Sequence, residues 1–150
     1  MSNWIVITKA DLYNSKAAAL IDAADSVSLS GAQTDRSMGV TADVTLEIRR
    51  RVSKCNQLDA NLAAIPGGLK PLAVDIIYCR LKLALEQALS QDERDTLKRR
   101  ERELDRIADG SDPVEAPDKP IVAQVNIAGG GITAKADDRR ATHHKLGGLI

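Results

Sequence analysis

The chain has 150 residues, and its 21 basic and 21 acidic side chains cancel to a formal charge of zero. Ala, Leu, Ile and Val make up most of the 43% hydrophobic fraction, while the aromatics are only Trp4, Tyr13 and Tyr78, with no Phe. That length suits one domain with a modest core. The charge balance excludes bulk attraction to DNA or an anionic membrane, and the few rings disfavour a single-strand nucleic-acid binder.

The opening "MSNWIVITKA" has neither a basic leader nor a long apolar core, so no signal peptide is expected. A short apolar run, "WIVI", leads to Thr8, a helix cap with Asp11 three positions on. Leu12, Ala19 or Leu20, and Ala23 share one face of the first helix, which has a break point near Asn14–Ser15. Residues 25–40, rich in Ser, Gly, Thr and Asp, read as a loop long enough to be a functional segment.

The second helix is expected from a Thr41 cap to Pro66. Val44, Ile48, Val52, Cys55, Leu58 or Asp59, Leu62 and Ile65 step along it by three or four. Arg49, Arg50 and Arg51 fan over about 200° of its surface, so they cannot share one environment. Pro66-Gly67-Gly68 ends this helix and Pro71 starts the third, which runs to about residue 89. Apolar side chains cover most of the third helix's circumference, as in a central helix or a subunit interface. The Leu69–Leu89 stretch carries five charged residues and does not read as a membrane span.

A fourth helix, residues 91–109, begins at Ser90 with Glu93 completing a capping box. Leu97, Leu104, Ile107 and Ala108 give it a narrow apolar stripe within dense mixed charge, and Gly110 ends it. Residues 111–150 carry three of the five prolines and five of the ten glycines. They are expected to form an extended tail, with "PIVAQVNI" and "GITA" as short β-like pieces that become ordered against a partner. The expected architecture is thus all-α: a bundle of about four helices over residues 1–110 and a docking tail over 111–150.

Few groups suggest chemistry. His143-His144 has no Cys nearby and does not define a metal site. Cys55 and Cys79 read as two buried thiols in helices. P-loop, dinucleotide and nucleophile-elbow patterns are absent from the sequence. No nucleophile, base and orienting group can be assembled, so neither an enzyme nor a cofactor is expected. The basic run "LKRRER" (97–102) shares its helix with Asp92, Glu93, Asp95, Glu101, Glu103 and Asp105 and reads as a subunit-facing surface, with Arg99, Arg100 and Arg102 as contacts. The tail adds Ile121, Val122, Val125, Ile127 and Ile132. Asp75, alone among apolar neighbours, needs a partner because an unpaired carboxylate on a buried helix costs several kcal/mol. Arg49, Arg50 or Arg51, or an arginine of a neighbouring subunit, is expected to provide it, fixing how helices two and three meet.

"LDANLAAIP" (58–66), "LAVDIIYCRL" (72–81) and "RRERELDRIADG" (99–110) follow one another in an order that resembles the Mu-like gp36 family of phage and prophage proteins. Asp59 and Leu62 match its first motif, Asp75, Ile76 and Leu81 the second, and Leu104, Ile107, Ala108 and Gly110 the third. The connection at 65–71 is shorter than the family's usual aromatic-containing one, and Tyr78-Cys79 replaces its commoner Arg-Tyr-Arg. The resemblance implies a head–tail connector in the virion neck, made in the host cytoplasm. Its subunits would form a ring, usually a dodecamer, beneath the portal protein, with double-stranded DNA passing non-specifically through the lumen and no membrane contact. The alternatives are a tail-terminator or neck protein on the tail side, and a small helical regulator binding DNA through Arg49–Arg51 and residues 98–102.

Overall fold

The computed structural model describes residues 2–26 and 35–122. Among these residues are five α-helices and one two-stranded antiparallel sheet. The strands are β1 (Trp4–Val6) and β2 (Ala64–Pro66); the helices are α1 (Lys9–Tyr13), α2 (Ala18–Ser26), α3 (Arg36–Val52), α4 (Lys70–Ala84) and α5 (Gln91–Ala108). The chain is a small all-α bundle, and the expected first helix is two short ones broken after Asn14.

Local chemistry sets several of these boundaries. Thr8 and Asp11 form a reciprocal capping box at α1, and Ser90 and Glu93 form another at α5. Gly110, at φ 79°, ends α5 in the left-handed region that glycine adopts without steric cost. Pro71 sits in the first turn of α4, where its missing N–H leaves no helical bond unmade.

The second expected helix is displaced at both ends. Thr41 is not its cap: α3 starts five residues earlier, and the buried Thr41 hydroxyl donates to the Ser37 carbonyl at 2.8 Å. The cap comes from α2, where the Asp25 carboxylate accepts from both the backbone N–H and the hydroxyl of Ser37, each at 3.0 Å. Of the expected 25–40 loop, Asp25 and Ser26 instead end α2, Arg36–Val40 open α3, and residues 27–34 lie outside the described residues. At the other end α3 stops at Val52. The Asp59 carboxylate accepts from the Asn61 N–H and the Asn61 side-chain oxygen accepts from the Ala63 N–H. These two local turns compete with helix and leave Ile65 on β2.

β1 and β2 pair as Trp4 with Pro66, Ile5 with Ile65 and Val6 with Ala64. The core is formed by Trp4, Leu12, Ile21, Val44, Ile48, Ile65, Leu72, Ile77, Leu81, Leu104 and Ile107 with smaller neighbours. α4 packs against α2, α3 and α5, and α3 packs against α2, α4 and α5, so the two helices share the centre of the bundle. α4 ends at Ala84 rather than near residue 89, and Leu83 leaves one of its sides exposed. Cys55 lies in the turn after α3, exposed rather than buried in a helix, whereas Cys79 is buried on α4. No helix among the described residues is long and apolar enough to cross a membrane.

Candidate assembly surface

Asp75 is half-buried on α4 and serves as a three-way junction. Arg100 of α5 reaches its Oδ2 through Nε at 2.9 Å, and the same guanidinium donates to Glu103 at 2.9 Å. Lys16, between α1 and α2, stands 3.5 Å from Oδ1 and lies over the Tyr78 ring. The expectation that Asp75 pairs with Arg49, Arg50 or Arg51 is thus corrected: α5, not α3, presents its arginine there. Arg100, expected to face a partner, is spent inside the subunit. Burial opposes its charge, but the bonds to Glu103 and Asp75 outweigh that and raise its pKa.

The three adjacent arginines have three different roles. Arg49 is 4% exposed and donates to three backbone carbonyls, those of Asn61 (2.9 Å), Ala64 (2.7 Å) and Asp59 (2.8 Å). Its guanidinium also lies over the Trp4 ring at 5.6 Å. Burial pulls its pKa below the usual value, and the charge of Asp59 acts against that pull. The 59–64 loop wraps around this one cation, which explains why α3 cannot continue along the apolar spacing. Arg51 pairs with Asp105 of α5, and Arg50 is exposed.

The start of the tail runs along the subunit's own body. The Asp118 carboxylate accepts from the Ser2 hydroxyl (2.6 Å) and from the backbone N–H groups of Asn3 (3.0 Å) and Trp4 (2.9 Å). These bonds, the hydroxyl first, lower its pKa. Glu115 accepts from the Trp4 indole at its carbonyl (3.0 Å) and from the Gly68 N–H at its carboxylate (3.0 Å). A Cβ at Gly68 would come within 2.5 Å of that carboxylate, so a larger residue there would push the Glu115 side chain aside. Asp59 then joins the segment to the 59–64 loop. Its carboxylate accepts from the Asn61 and Lys119 N–H groups, which lower its pKa, while Ala60 donates to Lys119 and Ile121 donates to Leu58. The result is a short antiparallel bridge between Asp59 and Pro120.

This bridge leaves Ile121 50% and Val122 81% exposed, with Leu62 76% exposed on the adjoining loop. Arg99 and Arg102 point outward from α5. Val125, Ile127 and Ile132, like His143-His144, lie outside the described residues. Among the described residues no three His, Cys, Asp or Glu side chains could hold a metal ion.

Beside α5, Glu93 accepts from Lys82 at 2.9 Å, from the Ser90 N–H at 2.7 Å and from the Tyr78 hydroxyl at 2.8 Å, which hold its pKa at about 2. The bonds from Lys82 and Tyr78 brace α4 against the start of α5, and the bond from Ser90 closes the capping box of α5 itself. Sequence reading found the capping role of Glu93 but not Lys82 or Tyr78, because both lie on a separate helix. Asp118 and Glu115 carried no local signal either, since their partners are more than 45 residues away.

No family model, curated protein or solved structure matches the chain. What bears on function is therefore the surface just described.

Proposed function

We propose that the chain is a structural head–tail adaptor of a tailed phage or prophage, a subunit of a ring that docks beneath the portal and lets DNA pass through its lumen. The role involves no catalytic step and no cofactor. The observation that carries the reading is the anchored tail root. Residues 112–122 are pinned by Asp118, Glu115 and Asp59, and they end in exposed Ile121 and Val122. Residues 123–150 therefore start from a fixed apolar point beside Leu62, as suits an arm reaching a neighbouring subunit or the portal.

The motif residues that resemble the gp36 family support the same reading. Asp59 holds the tail root, Asp75 ties α4 to α5, and Leu81, Leu104 and Ile107 are core. Of the cations named for the DNA-binding alternative, Arg49, Arg51 and Arg100 are committed to internal partners, while Arg50, Lys98, Arg99 and Arg102 remain exposed beside the acids of α5. Phosphate contacts need such cations at the surface.

The test is capture on purified portal rings. Full-length chain is expected to be retained, whereas chain truncated after Val122, with unchanged helical circular dichroism, is expected to be lost. Equal retention of the truncated chain would overturn the proposal.

A further inference from the structure

α3 buries one face with Ser37, Thr41, Val44, Thr45, Ile48, Arg49 and Val52. Its opposite face presents Gly39, Ala42, Asp43, Leu46 and Arg50, continued by the capping Ser53, all exposed and recurring at helical spacing. Leu46, at 58% exposed, is the large apolar residue at the middle of this stripe. It lines a surface depression of about 280 Å³ together with Asp43, Glu47, Arg50 and Arg51. An apolar centre between opposite charges gives this stripe the pattern of a helix–helix contact closed by ion pairs. Asp43 and Arg50 enter none of the ion pairs among the described residues.

The order of residues along the stripe suggests the occupant. Asp43 lies three residues before Leu46 and Arg50 four residues after, about 5–6 Å along the axis on either side. If a second α3 is laid antiparallel on the first with the two Leu46 residues at the dyad, Ala42 falls opposite the partner copy's position 50 and Gly39 opposite its position 53. Each Arg50 stem then crosses the small side chains at 39 and 42, and its guanidinium reaches the other copy's Asp43. A Cβ at Gly39 would meet nothing within 4 Å, so that end of the stripe is open to such an approach. The charge pattern is self-complementary under a two-fold axis, and a parallel pairing would instead set like charges together.

We infer that α3 forms an isologous contact with a second copy of this chain, centred on Leu46 and closed by two Asp43–Arg50 ion pairs. Glu47 is paired with Arg80 within the subunit and flanks this contact. Such a contact joins subunits in pairs and is independent of the ring, whose contacts are head-to-tail.

The test is sedimentation equilibrium of the full-length chain over a concentration series, with four variants. Wild type is expected to move from the 16.1 kDa monomer toward twice that mass as concentration rises. L46E is expected to stay monomeric. D43R and R50D, each felt twice across the dyad, should weaken dimerisation about tenfold or more, and the double reversal D43R/R50D should return to near the wild-type constant. Because α3's buried face is untouched, the circular dichroism of all four should match wild type. A wild-type chain that remains monomeric would overturn the inference. So would a dimer indifferent to L46E, or a double reversal weaker than either single one. Portal capture by the α3 variants separates this contact from the adaptor reading, since capture is expected to survive L46E.

Discussion

Arg49 shows how one residue can decide a boundary. A buried guanidinium has five donors, and here three carbonyls of residues 59–64 take up three of them while the Trp4 ring covers the group. R49A would leave those carbonyls without their donor, and the expected cost is about 3 kcal/mol or more, read by urea unfolding. R49K should recover only part of it, because a point ammonium cannot span the three acceptors. Asp11 and Glu93 act at the same scale through pH. Asp11, bonded to Lys70 and to the Thr8 N–H and hydroxyl, is lowered from 3.8 to about 2, and Glu93 from 4.5 to about 2. A carboxylate with a depressed folded-state pKa contributes stability above its unfolded value and loses it as pH falls through the folded one. The thermal midpoint is therefore expected to decline between pH 4.5 and about 2. E93Q should show a lower midpoint at pH 7 and a shallower decline across that window. Both carboxylates lie near solvent, so the amplitude is modest.

Among the elements, α5 was the most legible in the sequence. Its capping box, narrow stripe and terminal glycine are all local signals, and all three hold in the structure. α3 was the least legible. Its N-terminal cap is Asp25, donated by another helix, and its end depends on the loop that wraps Arg49. Periodicity alone carried the helix through Leu58 and Ile65, because apolar spacing cannot register a cation that captures the backbone carbonyls. The partner of Asp75 was misplaced for a related reason: several arginines could have reached it, and only the packing of α5 on α4 chooses Arg100. The tail root is likewise held by contacts remote in sequence. D118A is expected to speed amide exchange at Trp4–Val6 and across residues 115–121 relative to wild type, while α5 stays protected. L104A, by contrast, removes a core side chain 1% exposed and should cost about 2–5 kcal/mol of global stability.

Considered whole, the molecule combines a rigid helical body with an apolar-tipped segment fastened to one side of it. Asp75 and Glu93 tie α4 to α5 through Arg100 and Lys82. Ile121, Val122 and Leu62 mark the place from which the remaining residues depart, and this is where the proposed ring and portal contacts begin. The most direct measurement is cryo-electron microscopy of the virion head–tail junction, with this subunit fitted to the density. The expected result is a dodecameric ring beneath the portal, with residues beyond Val122 reaching the portal or the adjacent subunit. A hexameric ring at the top of the tail tube, or the absence of this chain from virions, would contradict it.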